Sequence, residues 1–134
     1  MVEVENKAIG QIDSGILLLL SVEKTDSEKN ADALLQKMIN YRIFPDQDDK
    51  MNLSLLDTKG ELLVVPQFTL AANTQKGTRP SFASAAPPQK ARFYYEYFVE
   101  QANKKVKIVQ TGRFGADMQV KLSNDGPVTF WLKK

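Results

Sequence analysis

The chain has neither a cysteine nor a histidine among its 134 residues. Without cysteine there is no disulfide framework, no thiolate nucleophile and no zinc–thiolate site. Without histidine there is no imidazole base, no Ser-His-Asp triad and no imidazole metal ligand. Any catalysis therefore falls to carboxylates, hydroxyls, amines, backbone groups or the substrate's own atoms. A long apolar run is also missing. Gly15-Ile16-Leu17-Leu18-Leu19-Leu20 falls far short of the ~18 residues of a membrane span and reads as a buried strand. No membrane association is expected, the N-terminus carries no signal-peptide pattern, and cytoplasm is the expected compartment. Charge of one sign is scarce too. A net charge of +2 does not indicate a sequence-wide grip on a polyanion, so any contact with nucleic acid must be local.

What is present is the composition of an ordinary soluble domain, 43% hydrophobic and 25% charged. The length points to one domain over residues 1–134. Val2 to Asp13 reads as two short strands around Asn6-Lys7, and Ser14-Gly15 turns into the apolar strand from Ile16 to Val22. Thr25 with Glu28 has capping-box spacing, and Ala31, Leu34, Leu35, Met38 and Ile39 then mark one face of an amphipathic helix. Met51 to Leu56 and Glu61 to Val65 read as strands, followed by a long loop from Ala71 to Ala86. Pro87 and Pro88 suit the start of a second helix, whose buried face runs through Ala91, Tyr94, Tyr95, Phe98, Val99 and Ala102. Lys105 to Gln110, Met118 to Leu122 and Val128 to Leu132 read as closing strands. This irregular order predicts an α+β domain with two main helices and a mostly antiparallel sheet.

Three stretches carry more information than scaffold requires. They are Pro66-Gln67-Phe68-Thr69-Leu70 at a strand end, Lys76-Gly77-Thr78-Arg79-Pro80-Ser81-Phe82 in the long loop, and Gly112 to Met118 leading to Asn124-Asp125-Gly126-Pro127-Val128-Thr129. Each has a plain reading alone: a satisfied strand end, a solvated loop, a hairpin turn. The functional reading of the last rests on what it exposes. Gly126 has no side chain, so another group can approach its backbone closely. Pro127 fixes φ and donates no hydrogen bond. If the Gly-Pro bond is cis, the neighbouring carbonyls are held outward in a rigid array that can read an amino group and reject a side chain of the wrong hand.

Together these stretches resemble the D-aminoacyl-tRNA deacylase family over essentially the whole chain, with Arg42-Ile43-Phe44 and Asn52-Leu53-Ser54 also matching. The most specific signatures are Gln67-Phe68-Thr69-Leu70 and Asn124-Asp125-Gly126-Pro127-Val128-Thr129. The resemblance implies an α+β domain with a barrel-like sheet, acting as a homodimer with no cofactor and no metal. It implies a cis Gly126-Pro127 turn that enters the partner's site beside the partner's Gln67, Phe68 and Thr69. The implied substrate is the aminoacyl-tRNA acceptor end. The implied reaction is hydrolysis of the ester to D-amino acids, and to glycine on the wrong tRNA, with L-amino acids rejected rather than D-side chains recognised.

Within that resemblance, Phe68 and Thr69 are expected to offer backbone N–H groups to the developing oxyanion, and Gln67 to orient the substrate or a water. The ribose 2′-hydroxyl is expected to assist attack. Thr69 as a covalent nucleophile is the alternative, and it lacks an evident base. Gly126, Pro127, Val128, Thr129 and Met118 are expected to bind substrate and select its hand, and Lys76 and Arg79 to touch tRNA. The chain departs from the family pattern twice. Pro66 stands where Ser is usual, and Met1-Val2-Glu3-Val4 corresponds to the family's second strand, so the sequence is expected either to start about ten residues late or to lack the usual first strand. A tRNA-binding dimer of the same fold with impaired catalysis is the second reading.

Overall fold

The computed structural model describes residues 1–134. The elements, in chain order, are β1 (Val2–Val4), β2 (Lys7–Gly10), β3 (Gly15–Leu20), α1 (Glu28–Asn40), β4 (Phe44–Pro45), β5 (Met51–Leu53), α2 (Leu55–Thr58), β6 (Glu61–Pro66), a 3-10 turn (Phe68–Ala71), α3 (Pro88–Asn103), β7 (Val109–Thr111) and β8 (Gln119–Val120). They stack as three layers: helices α1 and α3, a central sheet ordered β3-β6-β7, and a small sheet ordered β2-β1-β8.

The central sheet corrects the expectation of a mostly antiparallel, barrel-like arrangement. Both of its pairings, β3 with β6 and β6 with β7, are parallel. Only β1–β2, β1–β8 and β4–β5 are antiparallel, and the three sheets do not close into a barrel. The cause lies in the strands themselves. A parallel strand covered on both faces reads as a continuous apolar run, not an alternation. Leu62, Leu63, Val64 and Val65 are all buried. Leu62 and Val64 pack toward the helices with Leu35, Ile39, Tyr95 and Phe98, whereas Leu63 and Val65 pack toward Val2 of the small sheet. The crossovers that parallel pairing requires contain α1 and α3.

Both main helices lie where the periodicity put them, but the cap of α1 is shifted. Ser27 is its N-cap, and Asn30 Oδ1 accepts from the Ser27 N–H at 2.9 Å and from its hydroxyl at 2.9 Å. Pro88 opens α3. The stretch from Met51 to Leu56 is strand only to Leu53. Ser54 then caps the single turn α2, its Oγ accepting from the Asp57 N–H at 3.1 Å while Asp57 Oδ2 accepts from the Ser54 N–H at 2.9 Å. The third closing strand expected from Val128 to Leu132 does not form: the segment joins no ladder and makes no backbone–backbone hydrogen bond. No helix is long and apolar enough to cross a membrane.

Candidate active site

Strand β6 delivers the first signature to the surface. Its buried run ends at Pro66, paired in register with Leu20 of β3. Proline fits this last ladder position because the strand is leaving the sheet there. The Gln67 N–H donates to the Leu20 carbonyl at 2.8 Å, and the chain then tightens into the 3-10 turn. The Leu70 N–H closes on the Gln67 carbonyl at 3.2 Å and the Ala72 N–H on the Thr69 carbonyl at 3.1 Å. In i→i+3 geometry the leading N–H groups, those of Phe68 and Thr69, have no partner inside the turn. Two adjacent backbone donors are thus presented at an exposed strand end, the arrangement that stabilises a developing oxyanion.

The side chains around them are equally specific. Gln67 Nε2 donates to Thr69 Oγ1 at 2.6 Å. An amide is no base, so this contact orients the threonine hydroxyl without activating it. Phe68 is 61% exposed and leans against Phe82 with ring centroids 5.1 Å apart. Ser21 Oγ donates to the Phe68 carbonyl at 3.4 Å, and Ser84 Oγ to the Ala71 carbonyl at 2.7 Å. The loop carrying Lys76 and Arg79 is pinched shut at its base. Asn73 and Ser81 exchange backbone hydrogen bonds of 2.7 and 3.0 Å. Lys76 and Arg79 are exposed, and neither takes part in any of the three ion pairs of the molecule.

Met118 sits by the same strand end. A Cβ on Gly112 would lie 2.7 Å from Met118 Sδ and 3.4 Å from Pro66 Cδ, so glycine is what lets the thioether settle there. The Arg113 N–H points to Met118 Sδ at 3.4 Å. The segment between them curls through Gly115 at φ 79°, while Phe114 turns inward against Tyr95, ring centroids 6.0 Å apart. Tyr95 is held by burial and by donation to the Val64 carbonyl at 2.9 Å, and burial pushes its phenol up to about 12. It belongs to the core and not to the site.

Gly126, Pro127, Val128 and Thr129 form a separate, exposed turn in which Val128 alone is half-buried. The Gly126-Pro127 peptide bond is cis, and Gly126 has φ 138°. No hydrogen bond joins this turn to Gln67, Phe68 or Thr69 of the same chain. Two partners of these residues escaped the sequence reading. Phe82 closes the loop motif in sequence, and in the structure it supports Phe68. Asn124 is an ordinary turn former by type, and its side chain spans this turn: Oδ1 accepts from the Val128 N–H at 2.8 Å and Nδ2 donates to Thr129 Oγ1 at 2.8 Å. The four-residue spacing from Asn124 to Val128 was the available signal.

Residues 1–133 match the family described as D-Tyr-tRNA(Tyr) deacylase. The chain belongs to this family. It is 64% identical over 131 residues to a D-aminoacyl-tRNA deacylase of Pseudoalteromonas translucida, covering 98% of this chain and 90% of that one. It is 58% identical over 132 residues to the protein of that name from Mannheimia succiniciproducens, covering 98% and 91%. Among solved structures it resembles a c-Myc DNA Unwinding Element Binding Protein, with TM-score 0.94, 38% identity and coverage of 99% of this chain and 91% of that one. A probable eukaryotic D-amino acid tRNA deacylase shares the fold at TM-score 0.76 and 13% identity, over 88% and 86% of the two chains.

A polar cleft of about 340 Å³, lined by Asp13, Ser14, Pro45, Lys59 and Glu61 among others, opens at the opposite end of β3 and β6. It lies away from every residue of the site. No three His, Cys, Asp or Glu side chains converge in a way that could hold a metal ion.

Proposed function

We propose that this chain hydrolyses the ester joining a D-amino acid, or misattached glycine, to the terminal ribose of tRNA. The observation that carries the reading is the pair of leading N–H groups, Phe68 and Thr69, at the exposed end of β6 beside Gln67. The chain has no histidine or cysteine to serve as base or nucleophile, so rate enhancement must come from positioning and from stabilising the oxyanion. A water adds to the ester carbonyl, assisted by the neighbouring ribose 2′-hydroxyl and oriented by Gln67. The carbonyl oxygen takes the negative charge against the Phe68 and Thr69 N–H groups. The ester C–O bond then breaks, the ribose oxygen leaves with a proton, and the free amino acid departs. Lys76 and Arg79 hold the acceptor end through its phosphates.

Selection of hand falls to Gly126, Pro127, Val128, Thr129 and Met118. The turn carrying the first four stands apart from Gln67 in one chain, which supports a homodimer in which each copy lends its turn to the other's site. L-amino acids are excluded because their side chains would need the space that this turn fills. The test is release of amino acid from D-tyrosyl-tRNA, with L-tyrosyl-tRNA alongside and sedimentation at the assay concentration. Turnover of the D-ester by a dimer is expected. Binding of tRNA without turnover would favour a non-catalytic RNA binder, and an active monomer would remove the exchange of turns.

A further inference from the structure

The segment from Leu122 to Lys134 contains no backbone–backbone hydrogen bond. It is nevertheless fixed at both ends. On the entering side, the Lys121 N–H donates to the Met1 carbonyl at 2.8 Å and Lys121 pairs with Glu3. On the leaving side, Phe130 sets its ring edge-on to Tyr41 at 5.5 Å, Lys133 pairs with Glu23 at 3.3 Å, and the Lys134 carbonyl accepts from Asn30 Nδ2 at 3.2 Å. Between these anchors Gly126 and Pro127 are exposed, with no ladder to hold them. The hydrogen bonds inside this span come from one side chain, Asn124, which spans the turn to the Val128 N–H and the Thr129 hydroxyl. A short amide side chain bonding a backbone group a few residues on substitutes for the missing backbone turn.

We propose that Asn124 is a positioning residue that sets the attitude of the Gly126-Pro127 turn, and through it the preference for one hand of amino acid. The inference rests on the reading of that turn as the element that rejects L-esters. Asn124 itself need not touch substrate. It fixes Val128 and Thr129, and these fix the direction in which the Gly126 and Pro127 carbonyls point. A site that discriminates by shape tolerates little displacement, because a shift of about 1 Å can cost on the order of 100-fold in rate.

The test uses the full chain with Asn124→Ala and Asn124→Asp. Aspartate keeps an acceptor for the Val128 N–H and offers its second oxygen to the Thr129 hydroxyl, which can reverse and donate. In Asn124→Ala the turnover number for D-tyrosyl-tRNA should fall about 10- to 100-fold with KM within a few-fold, and the ratio of D- to L-ester hydrolysis should drop. Asn124→Asp should restore both to within about 3-fold. Amide exchange of Val128, read by NMR, should quicken in Asn124→Ala alone, without a loss of global fold. A merely structural residue would lower the melting temperature and reduce both esters' hydrolysis equally. A folded Asn124→Ala protein with an unchanged D-to-L ratio overturns the proposal. Wild-type protein that fails to distinguish the two esters would instead overturn the reading of the turn, so the two failures are separable.

Discussion

Gly126→Ala tests the turn most sharply. Gly126 has φ 138°, a region that L-residues rarely occupy. The new Cβ would stand 2.6 Å from Val128 Cγ2 and 3.1 Å from the Val128 nitrogen. Val128 is β-branched and stiff, so relief has to come from the backbone. If the turn holds its shape, the strain is about 1–3 kcal/mol. If it relaxes, it gives up the two Asn124 hydrogen bonds, about 0.5–1.5 kcal/mol each. Both routes converge on about 2 kcal/mol against the productive turn, which corresponds to about 30-fold. The cost is local because the turn is exposed and contributes nothing to either core cluster. The melting temperature should therefore fall by no more than about 10 °C. The assay is hydrolysis of matched D- and L-tyrosyl-tRNA, with melting and sedimentation measured on the same preparation. Wild-type turnover of the D-ester with full rejection of the L-ester would refute the reasoning and reduce the turn to a surface loop.

Thr69→Val should keep D-ester hydrolysis within about 10-fold, because the backbone donor survives, whereas loss of a true nucleophile costs on the order of a thousandfold or more in rate. Lys76→Ala with Arg79→Ala should weaken tRNA binding and shallow its salt dependence by about two charges' worth, read as the slope of log affinity against log salt; an unchanged slope would place the acceptor end elsewhere. Asp57 is held below its ordinary value of 3.8 by the Ser54 N–H and then the Ser54 hydroxyl, with Arg42 adding attraction, so its stabilising effect is full above 3.8 and is lost as pH falls through the lower folded value. Asp57→Asn should accordingly flatten the acid limb of the melting temperature below about pH 4, and an unaltered limb would show that the cap does not titrate there.

Much of the fold was readable where one physical rule acts alone. Leu34, Leu35, Met38 and Ile39 give α1 its buried stripe, and Pro87-Pro88 gives α3 its start, because local periodicity and φ restriction settle both. The sheet direction was harder. The continuous runs Ile16 to Leu20 and Leu62 to Val65 carry the mark of a strand buried on both faces, but the irregular element order outweighed it and gave an antiparallel expectation. The α2 turn was hidden for a different reason: Leu55 and Leu56 extend the apolar run of β5, and only the Ser54–Asp57 cap diverts the backbone into a helical turn.

The candidate site divides along the same line. Gln67, Phe68 and Thr69 stood out through the resemblance, one proline beyond four buried residues, and the 3-10 turn that leaves the Phe68 and Thr69 N–H groups unpartnered is a local consequence of leaving the sheet. Met118 stood out as a site residue only through the resemblance; its place beside Pro66 depends on Gly112 across the five residues between them, which no periodicity encodes. Asn124 was hidden in plain view, since asparagine before Asp-Gly already explains itself as a turn former. What raises it above that role is the emptiness around it: a span of thirteen residues without one backbone–backbone bond leaves its amide to do what a ladder does elsewhere. Backbone selectivity of the kind proposed requires that something hold the turn still, and Asn124 makes the two hydrogen bonds that span it.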